Sequence, residues 1–92
     1  MAKLYKSNGD IVDVEPKNGR TFMLEELREL LTCDLVEPVF LKDGKIMLVD
    51  EEGKLTKSDI NPKATQLMHS SRRINWDFIV GDALVCNTEQ FI

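Results

Sequence analysis

The densest run of side chains able to do chemistry is His69-Ser70-Ser71-Arg72-Arg73-Ile74-Asn75-Trp76. It holds the chain's only histidine and only tryptophan beside two hydroxyls and two adjacent arginines. Guanidinium forks match phosphate and carboxylate geometry, and an indole offers a flat face to a base or an apolar group. Arginine and tryptophan are also common anchors of protein interfaces. His69, Ser71, Arg72, Arg73, Asn75 and Trp76 are therefore the candidate ligand- or partner-binding residues, with a protein surface and a small nucleotide as the two candidate occupants. The plainer alternative is a solvated loop whose Trp76 caps the core beneath the last strand.

Other chemistries find less to work with. Nucleophilic catalysis needs a base beside a nucleophile. His69 is the single candidate base, and Ser70 and Ser71 lie too close to it in sequence to build a triad. Its simpler role is to meet the terminal carbonyls of a helix. Asn18-Gly19, Asp43-Gly44 and Glu52-Gly53 read as turns, not as a phosphate-cradling loop. Asp50-Glu51-Glu52-Gly53 lacks the alternating carboxylates and the twelfth-position glutamate of a calcium loop. Cys33 and Cys86 form no C-x-x-C pair and have no second histidine, so no zinc site is expected. They read as reduced, partly buried cysteines, with a disulfide between them left open by the sequence. The expectation is a non-enzymatic protein with no catalytic residue, metal or cofactor.

Charge and length narrow the class further. Sixteen acidic against twelve basic residues give a formal charge of −4. General nucleic-acid binding requires a basic surface, and this chain lacks one overall. Ninety-two residues imply one domain, 1–92, with 87–92 as a tail. No apolar run approaches the ~20 residues of a membrane span, and the N-terminus carries no signal-like apolar region. A cytoplasmic location is expected.

The elements that must position the candidate residues centre on Leu35–Asp50. Two apolar runs flank Asp43-Gly44, a pair that tolerates the positive φ of a type I′ hairpin turn. Ile46-Met47-Leu48-Val49 shows no polar alternation, which implies a strand covered on both faces. Lys3–Lys6 and Asp10–Glu15 form a second hairpin around Asn8-Gly9. Thr21–Thr32 reads as a helix with Met23, Leu24, Leu27, Leu30 and Leu31 on one stripe and glutamates on a solvated face. Thr21 is its expected N-cap, and Glu25 and Glu26 suit the helix dipole. Asn61-Pro62 starts a second helix running to about Met68 or His69, with Ala64, Leu67 and Met68 inward. Ser70–Asn75 then reads as a loop, and Phe78–Cys86 as the last strand, with a bulge or a close backbone approach at Gly81. The fold class is α+β, a single small domain in the order β-β-α-β-β-α-β. Its sheet is mixed or antiparallel with helices on one face.

Several pieces in this order resemble one family. They are Val14-Glu15-Pro16 with Gly19; Leu24-Glu25-Glu26-Leu27; Val39 through Val49 with Asp43-Gly44; Asp50-Glu51-Glu52-Gly53-Lys54-Leu55; Asn61 with Ala64-Thr65 and Leu67; and Ile79-Val80-Gly81-Asp82 before Leu84-Val85. Together they resemble domain-of-unknown-function family 3846, small proteins of phages, conjugative elements and their bacterial hosts. The resemblance spans roughly Val12 to Cys86. It departs at Met23, where a threonine cap is expected, and the stretch from His69 to Trp76 has no clear counterpart. It implies a fold and a mobile-element setting and carries over no catalytic residue. The function expected is that of a binding protein of a phage or mobile element, counteracting host defence by sequestering a nucleotide signal or binding a host protein. The alternative is a host-encoded structural or regulatory interaction module without a small ligand. A homodimer would suit so small a core with open sheet edges.

Overall fold

Alternation of side chains along the central strands decides the architecture. The computed structural model describes residues 2–56, 59–73 and 76–91. Five strands, β1 (Ala2–Tyr5), β2 (Ile11–Val14), β3 (Val36–Phe40), β4 (Lys45–Asp50) and β5 (Ala83–Asn87), form one sheet in the order β2-β1-β5-β4-β3. Every pairing is antiparallel. Even-numbered strand residues, among them Leu4, Ile46, Leu48, Leu84 and Cys86, share one core with Leu27 and Leu31 of helix α1 (Leu24–Leu31). Odd-numbered Met47, Val49 and Ala83 share a second core with Ala64 and Met68 of helix α3 (Pro62–Arg72). The sheet is thus covered on both faces, which corrects the expectation of helices on one face. The physical reason is the unbroken apolar run Ile46–Val49, which side-chain alternation divides between two faces, each needing a helix.

Chain connections follow from that division. β2 and β3 are the two edges, so the segment carrying α1 crosses the sheet from one edge to the other. The connection from β4 to β5 carries the single-turn helix α2 (Gly53–Thr56) and then α3 across the opposite face. At the tip between β3 and β4, Asp43 and Gly44 both take positive φ, 61° and 70°, and the Lys45 N–H donates to the Lys42 carbonyl at 3.3 Å. This is the turn expected from the Asp-Gly pair. Leu41 N–H also donates to the Lys45 carbonyl at 3.0 Å, so Lys45 faces two residues and Lys42 is left one amide over.

Helix α1 departs from its expected form. It starts at Leu24 rather than Thr21, and Met23 is its N-cap without a side-chain hydrogen bond. Thr21 is held elsewhere: Asn18 Oδ1 accepts from the Arg20 and Thr21 N–H groups, both at 2.8 Å, in an Asx turn. Met23 and Leu24 are half or more exposed, and Leu27 and Leu31 carry the burial, about 1.5–3 kcal/mol each. Glu26 is buried, not solvated, and its Oε2 accepts the Lys17 N–H at 2.9 Å. Phe22, outside the expected stripe, is buried in the same core.

Asn61 binds the second layer to the sheet. Its side chain is fully buried; Oδ1 accepts from the Ala64 N–H at 3.1 Å, capping α3. Its Nδ2 donates to the carbonyls of Tyr5 at 2.7 Å and Gly81 at 2.9 Å. The last strand begins at Ala83, not Phe78, because Gly81 turns the chain with φ +83°. Before it, an isolated bridge joins Val80 to Ile60. The expected tail is packed: Thr88–Gln90 forms a 3-10 turn, the Phe22 N–H donates to the Gln90 carbonyl at 2.6 Å, and Phe91 lies against the first core.

Candidate functional site

Helix α3 runs through Arg72, one turn beyond its expected end, and this extension sorts the candidate residues. Ser70–Arg72 is helix, not loop, and helical geometry sends successive side chains in different directions. Arg73 takes the left-handed conformation, φ 56°, and its N–H donates to the His69 carbonyl, closing the helix. Asn75 lies outside the described residues.

Two of the candidates are tied into the fold. Ser71 is half-buried, and its Oγ accepts the Lys42 N–H at 2.7 Å, the amide left over at the hairpin tip. His69 Nε2 is hydrogen-bonded to the Asp77 carbonyl. It therefore fixes the segment after α3 rather than capping the helix carbonyls. Thr65 Oγ1 adds a second tie by accepting the Ile79 N–H at 2.9 Å.

The far end of that segment is fixed from α2. Lys54 Nζ is paired with the Asp77 carboxylate and stands 4.6 Å from the centroid of the Phe78 ring. The Phe78 N–H donates to Asp77 Oδ1 at 2.8 Å. The Lys54 hydrogen bond holds the Asp77 carboxyl below its ordinary value, against opposing desolvation and with help from the Phe78 N–H. Gly53 makes the close approach of α2 workable: a Cβ there would meet the Val80 carbonyl oxygen at 2.9 Å.

These ties frame a cleft of about 370 Å³ between the β3–β4 face, the end of α3 and residues 76–80. Val39, Val49, Met68 and Ile79 supply its apolar wall. Arg72 and Trp76 both line it; Arg73 does not. The structure thus joins Arg72 to Trp76 and separates the adjacent arginines. Trp76 is 76 % exposed, so it does not cap the core. Acidic residues on the lining are Glu37, Asp50, Glu51 and Asp77, against two bases, Arg72 and Lys54; Asp50 is buried and its Oδ1 accepts the Glu52 N–H at 2.9 Å. Sequence reasoning missed Lys54, Asp77 and Phe78. The aromatic pair flanking an acid in Trp76-Asp77-Phe78 was the available signal, but Lys54 lies 23 residues away in sequence.

Among the described residues, no group of three His, Cys, Asp or Glu side chains converges. Cys86 is buried, and burial pushes its thiol up to about 11. Among the described residues, no helix is long and apolar enough to cross a membrane.

Comparison with known proteins adds one finding. No curated protein and no solved structure gives a significant match. The family model described as a domain of unknown function, DUF3846, matches residues 5–92. That match runs from the last residue of β1 through all the remaining elements and includes the cleft, and on it the chain belongs to the DUF3846 family.

Proposed function

We propose that this protein acts by binding, without catalysis, and that the cleft bearing Trp76 and Arg72 receives a protein partner. The observation that carries the reading is Trp76 itself. A large aromatic side chain left mostly in water, beside an apolar wall and a neighbouring arginine, has the composition of an interface anchor. Phe78, 41 % exposed, extends the apolar surface beside it.

Charge favours a polypeptide over a nucleotide at this cleft. Lys54 and Asp77 pair with each other, which sets Glu37 and Glu51 on the lining against Arg72. A phosphate would face more repulsion than attraction there. A partner presenting a basic side chain to Glu37 and Glu51 and an apolar one to Trp76 would be matched. In the phage or mobile-element setting suggested by the family resemblance, that partner is a host protein, including one of a defence system. A host-encoded interaction module is the alternative, and gene neighbourhood separates the two. A homodimer belongs to the same reading through β2. The other edge, β3, carries Pro38 at a position facing away from β4, where a missing N–H interrupts any added strand.

Single substitutions test the assignment. Arg72→Ala and Trp76→Ala should each leave the melting temperature within about 2 °C, since both side chains are exposed. Each should weaken partner capture about tenfold or more. Arg73→Ala should not. Equal loss from Arg72→Ala and Arg73→Ala, or loss from neither, would remove the cleft from the account.

A further inference from the structure

On the other side of the end of α3, a second concavity of about 280 Å³ opens on the same sheet face. On this face Met47 and Ala83 are completely buried, whereas Tyr5 and Val85 are half-buried. These two, with Leu67 of α3, form an apolar floor with one aromatic ring. Lys3, Lys42 and Lys45 stand around it, from β1, the hairpin tip and β4. Asp43 is the one carboxylate on the lining.

Three lysines on the lining of one concavity run against the charge of the whole chain, which is −4. Their engagement is incomplete. Lys3 Nζ is paired with Asp13 at 2.7 Å. Lys45 Nζ donates to a neutral acceptor, Asn87 Oδ1, at 2.7 Å. Lys42 and Lys45 have no ion pair among the described residues. The position of Lys42 is nevertheless fixed, because its backbone N–H is held by Ser71 Oγ. The hairpin tip is therefore docked on α3 with its lysine beside the apolar floor.

We propose that this concavity binds a small phosphate monoester with a flat or apolar body. The phosphate, close to doubly charged at neutral pH, would sit between Lys42 and Lys45, with Lys3 adding long-range attraction. The body would lie on Tyr5, Val85 and Leu67. A ring face and aliphatic surface accept any base without hydrogen-bond readout, so the site selects for a phosphate joined to an apolar group rather than for one nucleobase. The lysines here outnumber the single carboxylate, whereas the Trp76 cleft is acidic. The two sites are therefore chemically distinct and independent.

The test is a titration of the full chain with adenosine monophosphate, inorganic phosphate and adenosine, followed by backbone amide chemical shifts. Saturable shifts centred on Lys42, Lys45, Leu67 and Val85 are expected with the monophosphate at about 1 mM or below. Phosphate alone should bind about tenfold more weakly, adenosine should produce no saturable shift, and added salt should weaken binding. Lys42→Gln with Lys45→Gln should reduce affinity about tenfold or more at an unchanged melting temperature, while Trp76→Ala should leave it intact. No saturation, equal affinity for bare phosphate, or indifference to the lysine substitutions would overturn the proposal. A lowered melting temperature in the double variant is met by Lys42→Arg, Lys45→Arg, which keeps the charge and should retain binding; loss of binding there also overturns it.

Discussion

Replacing Asn61 by aspartate isolates the bond set that joins the α3 layer to the sheet. The carboxylate keeps the acceptor that caps α3 at the Ala64 N–H but loses both donors to the Tyr5 and Gly81 carbonyls. Leaving the buried Gly81 carbonyl without its donor costs about 1–3 kcal/mol and the part-buried Tyr5 carbonyl less, so a loss of about 2–4 kcal/mol is expected. A domain of this length holds about 5–14 kcal/mol in all. The loss should also depend on pH, with a definite sign. Burial among carbonyl oxygens disfavours the charged form, so the folded pKa of the new carboxyl lies above its unfolded value of about 3.9. The neutral acid, which can donate one hydrogen bond, supports the fold below that value. Its contribution disappears as pH rises through the folded pKa. Urea unfolding of Asn61→Asp at several pH values, with the parent protein as reference, reads both effects. A variant within about 0.5 kcal/mol of the parent, or one whose deficit shrinks as pH rises, would refute this account of Asn61.

Three further outcomes are expected. Met23→Ser should supply the side-chain cap that α1 lacks and add about 1 kcal/mol, raising the melting temperature by about 4–8 °C in calorimetry. Gly44→Val places a β-branched residue at φ +70° with no clash at the Cβ; backbone strain alone should cost about 1–2 kcal/mol in denaturant unfolding. Because the Asp77 pKa is lowered, the Lys54–Asp77 tie contributes fully above the ordinary carboxylate value and is lost as pH falls through the lowered one. The protection of the Phe78 amide, measured as its exchange rate relative to the intrinsic rate at each pH, should fall in that acidic window, with little change in global stability because the pair is partly exposed.

Local rules made much of the fold readable from the sequence. Asp43-Gly44 determines its own turn, Asn61-Pro62 its own helix start, and the run Ile46–Val49 its own double burial. The errors came where a distant partner decided the outcome. Glu26 looks solvated by helix position, but the Lys17 amide draws it inward. The end of α3 looks like a loop by composition, but Ser71 and His69 are held by Lys42 and Asp77 and the helix continues. For the candidate site, the stretch was legible and its geometry was not. Helical twist turns Ser71 to another cleft than Arg72, and Arg73, left-handed beyond the helix end, lies off the lining that Arg72 shares with Trp76. Lys54, far off in sequence, completes the wall that Trp76 stands on.

Native mass spectrometry of the protein recovered from lysate of its host cells tests the binding claim most directly. The account predicts a protein adduct of defined stoichiometry that is lost from the Arg72→Ala, Trp76→Ala double variant and kept by Arg73→Ala. A chain that emerges without a protein partner, or a complex that survives the double substitution, would contradict it.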